Sequence, residues 1–153
     1  MLSTFSQAAA QADGRFLNDQ ELQGLEAYVE SFSARTQTYK TLGSQADELV
    51  LRSLRKLAQT HRQEVVTHSA KCKRDMDCAL KEIARAVLLD EPDGFKQDFS
   101  LWMENITRAV HTNHAASRAY SCLKEEIRTA LPANQAALVT PYLDELITAF
   151  SGH

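Results

Sequence analysis

The residues of this 153-residue chain best equipped for chemistry are Cys72 and Asp75, in the stretch Lys71-Cys72-Lys73-Arg74-Asp75-Met76-Asp77. On a helix, positions three apart lie nearly one above the other, so a nucleophilic sulfur and a carboxylate would point the same way. Cys72, Met76, Ala79, Leu80, Ile83 and Val87 recur at helical spacing. The pair therefore stands at the edge of an apolar face. Lys71, Lys73 and Arg74 flank it, and neighbouring cations favour thiolate over thiol. Such a site suits a covalently held ligand with an apolar body, N–H donors for the carboxylate and acids for the cations. The same spacing also suits a small core cysteine beside a solvated face, and spacing alone leaves both open.

The elements that must position these residues are helical throughout. The composition is 44% hydrophobic and 24% charged with only 5 Gly and 3 Pro, rich in helix formers and poor in turn formers. A length of 153 suits one domain, residues 1–153, with a sizeable core. No apolar run approaches the ~20 residues that span a bilayer, and no signal-peptide pattern opens the chain. A net charge of −3 implies no general affinity for nucleic acid. Cys72, Cys78 and Cys122 are odd in number and lack metal-ligand spacing, so neither a disulfide framework nor a metal site is expected, and the expected compartment is reducing and cytoplasmic.

In chain order, Leu2 to Ala12 reads as a short first helix broken by Asp13-Gly14. Asn18-x-x-Glu21 reads as a capping box before the stripe Leu22, Leu25, Val29 and Phe32. Thr41-Leu42-Gly43-Ser44 reads as a break, with Ser44 capping a helix that runs to about Gln59. From Leu51 to Arg74 the charge turns basic, with Glu64 as the single acid; a solvated face is the expectation. The helix carrying Cys72 is expected to open at Lys71 and continue to about Leu89. Asp90-Glu91-Pro92-Asp93-Gly94 is a loop. Phe95, Phe99, Trp102, Met103, Ile106 and Val110 form the cleanest stripe, and Ala116, Tyr120, Leu123, Ile127 and Ala130 the next. A last helix, Asn134 to Phe150, contains Pro141, expected to kink or restart it with Thr140 as a local cap. No segment alternates with period two, so the fold is all-α, with Leu25, Val29, Leu49, Leu80, Ile83, Trp102, Ile106, Leu123, Ile127 and Leu146 expected in the core.

Several segments resemble the phycobiliproteins, the bilin-carrying light-harvesting subunits of the phycobilisome. Gly14-Arg15-Phe16-Leu17 followed by Glu21-Leu22 is similar to the family's N-terminal signature. Leu42-Gly43-Ser44-Gln45-Ala46-Asp47-Glu48-Leu49 is similar to its second-helix entry, and Cys72-Lys73-Arg74-Asp75 to its Cys-x-Arg-Asp attachment motif. The tail from Ala136 through Tyr142-Leu143-Asp144-Glu145-Leu146 to Phe150 resembles its last helix.

The resemblance implies a globin-like helical fold in which residues 1–17 form an N-terminal helical extension used in pairing with a partner subunit, as a homo- or heterodimer. It implies a bilin, phycocyanobilin foremost, joined by a thioether to Cys72. Asp75 would accept hydrogen bonds from pyrrole nitrogens and Arg74 would meet a propionate, although on an ideal helix Arg74 points about 200° away from Cys72. A linker protein or bilin lyase would be further partners. The expected place is the cytoplasm, at the cytoplasmic or stromal face of thylakoids without membrane insertion, and the expected role is pigment binding rather than catalysis. The chain departs from the family in a short segment from Thr60 to Lys71, in Cys78-Ala79 where aromatics are common, and in the shift of an acidic residue to Asp13. These departures suggest a more open pocket. A non-covalent bilin carrier or regulator is the alternative. A haem globin, with His111 as one axial ligand and His61 or His68 opposite, is a third.

Overall fold

The computed structural model describes residues 4–152. The expected start of the first helix at Leu2 lies outside the described residues. Helix α1, Thr4–Ala12, ends in a left-handed turn at Asp13 (φ 48°) and Gly14 (φ 80°), a conformation glycine adopts without strain. The capping box forms as the sequence indicates. Asn18 Oδ1 accepts from the Glu21 amide at 2.8 Å, and the Asn18 amide donates to Glu21 Oε2 at 2.9 Å. Arg15 grips the same carboxylate with two bonds, at 2.8 and 3.0 Å.

Helix α2 then runs unbroken over 42 residues, Asp19–Thr60, which overturns the break expected at Thr41–Ser44. A glycine in a helix interior costs only about 1 kcal/mol against alanine. Here Leu42, Leu49 and Val50 are buried on either side of Gly43, and that packing outweighs it. Ser44 caps nothing: its hydroxyl donates back to the Thr41 carbonyl at 3.1 Å. Asp47, expected in a first turn, reaches across to Lys73 instead, at 3.7 Å.

Helix α3, Arg62–Leu89, follows after a single residue, His61. It therefore begins about nine residues before Lys71, and the short segment ahead of Cys72 is helix. It ends at Asp90, which is left-handed (φ 53°), with the Glu91 amide donating to the Ala86 carbonyl at 3.0 Å. The one-turn α4 (Pro92–Gly94), a π-helical segment (Phe95–Ser100) and α5 (Leu101–Ala109) form one continuous helical run. Helix α6, Asn113–Ala130, and α7, Ala133–Ser151, pack on each other and on α2. Helix α7 passes through Pro141 without restarting.

One apolar cluster links these helices, with Leu49, Leu80, Ile83, Leu123, Ile127 and Leu146 all buried as expected. Each such side chain contributes about 1.5–3 kcal/mol on burial. Four expected core residues lie elsewhere. Leu25 is half-buried and Val29 is exposed, both on the outer face of the N-terminal part of α2. Trp102 (52% exposed) and Ile106 (36%) form an outward row with Val110. The apolar arc of this run is wider than its contact with the body. The row Phe95, Phe99 and Met103 turns inward, and the adjacent row is left to solvent. Among the described residues there is no strand, and no helix is long and apolar enough to cross a membrane.

Candidate functional site

With α3 beginning at Arg62, the stripe that holds Cys72 extends upstream. Glu64, His68, Cys72 and Asp75 are spaced four, four and three apart and share one face, and all four line a cleft. The opposite wall comes from α5, with Met103 and Thr107, and from α6, with Ala116, Ala119 and Tyr120. The water-accessible space within it is about 60 Å³. A larger ligand must part the walls or lie along the mouth.

Cys72 and Asp75 are thus brought together, each half-buried in the same apolar cleft. Arg74 is exposed and is not among the lining residues, as its angular offset on the helix requires. The expectation that the flanking cations activate the thiol is overturned. Burial pushes the Cys72 thiol up, the Asp75 and Glu64 carboxylates push it further, and only Lys71 opposes them. Lys73 is spent elsewhere, on Asp77 at 3.0 Å and Asp47 at 3.7 Å. The resting nucleophile is a protonated thiol at neutral pH.

The carboxylate of Asp75 has no hydrogen-bond or ion-pair partner among the described residues, so its acceptor capacity is available. Tyr120 is 2% exposed, and its hydroxyl has no hydrogen-bond partner. Its phenol is held well above the usual range, first by burial and then by the Asp75 charge. Buried hydroxyls are nearly always satisfied. Tyr120 carries an orphaned one, and it lines the cleft. At the end of the cleft nearest the start of α3, Arg118 from α6 donates to Glu64 from α3.

Tyr120, Glu64 and Arg118 escaped sequence reasoning as site residues, and His68 entered it only as a haem ligand. Tyr120 reads as an inward stripe residue, which is correct, but periodicity does not tell whether its hydroxyl is satisfied. Glu64 and His68 follow from the spacing once α3 is extended to Arg62, whereas Arg118 is on α6 and has no signal in the sequence. Of the remaining histidines, His61 sits at the α2–α3 joint with its ring nitrogen 2.8 Å from the Thr60 hydroxyl. His111 is exposed at the α5–α6 turn with φ 58° and does not line the cleft. Among the described residues no cluster of three or more candidate metal ligands occurs. The basic stretch is dispersed, Arg52 onto Glu48 and Lys56 onto Glu125.

The arrangement offers a thiol, a carboxylate and a phenol around a narrow apolar slot between helices, in an all-helical fold with an N-terminal extension. Comparison with curated proteins gives no match. The model of the phycobilisome protein family matches residues 7–150, nearly the whole chain, and the chain belongs to that family.

Proposed function

We propose that the protein binds a bilin in the cleft between α3 and α6, with light harvesting or another phycobilisome-associated role, as a pigment carrier rather than an enzyme. The observation that carries this reading is the convergence of Cys72, Asp75 and the unpartnered Tyr120 hydroxyl on one apolar cleft. These groups fit a linear tetrapyrrole. The Asp75 carboxylate accepts from pyrrole N–H groups, charge-assisted bonds worth about 1.5–3 kcal/mol each. Held this way, a conjugated chain stays extended and rigid and loses less excitation to internal motion. Arg74, on the rim, reaches a propionate only by curling its long side chain inward. Phycocyanobilin is the expected pigment.

Cys72 closes the thioether by adding across the ethylidene double bond. Its sulfur bonds to one carbon and a proton is delivered to the other, with nothing oxidised or reduced. A thiol held above its usual range makes that addition slow, because the thiolate is the attacking species. This observation favours a second reading, a carrier that holds bilin without a covalent bond, unless a lyase supplies the deprotonation. A subunit of the same family, paired through α1 and the start of α2, is the proposed partner, at the cytoplasmic or stromal face of thylakoids.

Co-production with a bilin-synthesis pathway tests both readings. Covalent attachment gives zinc-enhanced fluorescence on a denaturing gel that Cys72→Ser abolishes. Asp75→Ala keeps that band and loses red absorbance and native fluorescence. Colour that co-purifies yet leaves no denaturation-resistant band selects the carrier. Protein that stays colourless in cells making bilin refutes both.

A further inference from the structure

The ion pair between Glu64 and Arg118 ties α3 to α6, and among the described residues it is the one salt bridge joining these two walls of the cleft. It is only half made. Arg118 Nη2 donates to Glu64 Oε1. Arg118 Nε and Glu64 Oε2 are both buried without a hydrogen-bond partner. A guanidinium and a carboxylate in good register make two parallel bonds. Here each partner keeps one unsatisfied atom, and each such atom carries a desolvation penalty. Glu64 lines the cleft, whose water-accessible space is about 60 Å³, and Arg118 holds Glu64 from α6.

We propose that the Glu64–Arg118 pair is a latch on the cleft, and that a carboxylate arm of the ligand opens it by taking Arg118 from Glu64. This rests on the bilin reading. A propionate offers two oxygens to Nε and Nη2 together, the fork that Glu64 leaves incomplete. Arg118, half-buried and bonded to the cleft residue Glu64, is then the cation that reads the ligand's acid, in place of the exposed Arg74. Lys71, on the cleft wall beside Cys72, is placed for a second acid. Glu64 is a competitor for the ligand's position, and its removal should help acidic ligands.

The test uses biliverdin, a tetrapyrrole with two free propionates, and its dimethyl ester, in the Cys72→Ser background so that binding stays reversible. Arg118→Gln should weaken biliverdin about tenfold and should not weaken the ester, which loses no cation and gains from the freed walls. Glu64→Gln should strengthen biliverdin severalfold, because Arg118 no longer has a resident partner. Acid and ester responding alike to Arg118→Gln, or Glu64→Gln weakening biliverdin as much as Arg118→Gln does, overturns the exchange. A second measurement needs no pigment. With Cys78→Ser and Cys122→Ser leaving one thiol, Arg118→Gln should speed iodoacetamide alkylation of Cys72 severalfold by freeing the walls; an unchanged rate overturns the latch. If neither tetrapyrrole binds any form while alkylation still accelerates, the bilin reading fails and the latch stands.

Discussion

Arg35 of α2 donates to the carbonyl of Leu88, in the last turn of α3, across 53 residues of sequence. The guanidinium is 2% exposed and has no carboxylate partner among the described residues. It donates to the Tyr28 carbonyl at 2.7 Å and the Ser31 hydroxyl at 3.0 Å, and lies 4.1 Å from the centre of the Tyr28 ring. The negative end of the α3 macrodipole supplies the missing counter-charge, so a buried cation is accommodated as a helix C-terminal cap.

Removal of that cap should be costly. Arg35→Ala loses charge-assisted bonds and leaves a void, and should destabilise the fold by about 3 kcal/mol. For a chain of this size that is a fall of about 6–12 °C in Tm. Arg35→Met refills the volume and should recover part of the loss. Thermal denaturation of the two variants checks this, and an unchanged Tm for Arg35→Ala would remove the cap from the account.

The pH dependence of Cys72 follows from its surroundings. Burial first, then Asp75, raise the thiol, while Lys71 pulls it down. With Cys78→Ser and Cys122→Ser in place, the alkylation rate should rise through a midpoint above that of free cysteine, ~8.5. Asp75→Asn deletes a charge that disfavours thiolate and should move the midpoint down. Lys71→Gln should move it up. A wild-type midpoint at or below the free-cysteine value would restore the activated thiolate that the flanking cations suggested.

Local signals were legible in the sequence, and longer-range ones less so. Asp13-Gly14 and Asn18-x-x-Glu21 act within a few residues, and both took the expected shapes. Gly43 has the same local signature as a break, but Leu42 and Leu49 beside it are buried against other helices, and no window of sequence contains those neighbours. The start of α3 was hidden because residues 62–70 are mostly polar; Val65 packs on the core while Val66 is 72% exposed. At the site, Cys72 and Asp75 came together because helix geometry alone decides it. The thiol's electrostatics did not follow, because burial, which no neighbour in sequence reveals, and then the Asp75 charge raise it against Lys71.

The cap on α2 sets an acid limit. Glu21 is held down at about 2 by its bonds to Arg15 and then to the Asn18 amide. Its folded value lies below its unfolded value of ~4.3. The contribution is therefore present in full above that unfolded value and lost as pH falls through about 2. Asn18→Ala should cost about 1 kcal/mol at neutral pH. Glu21→Gln should flatten the low-pH limb of a denaturant-midpoint titration. A limb of unchanged steepness would show that other carboxylates set it.

Association is the last expectation. Proteins of this family assemble with partner subunits, and the N-terminal part of this chain leaves apolar side chains exposed. Phe16 is 98% exposed, Val29 57% and Phe32 50%, with Phe5 and Leu22 nearby in sequence also uncovered. An aromatic ring left so open contributes nothing to the fold of the isolated chain, and docking of its face recovers area that folding did not bury. Phe16→Ser and Val29→Ser should therefore leave the Tm of the dilute monomer unchanged. A central apolar anchor at an interface contributes about 2 kcal/mol or more, so each substitution should weaken self-association, or association with a family partner, by more than tenfold. Deletion of residues 2–17 should shift the protein toward monomer. Sedimentation velocity over a concentration series reads all three. Variants that sediment like the full-length protein at every concentration would place the interface elsewhere, with the exposed row of Trp102, Ile106 and Val110 next to be tested.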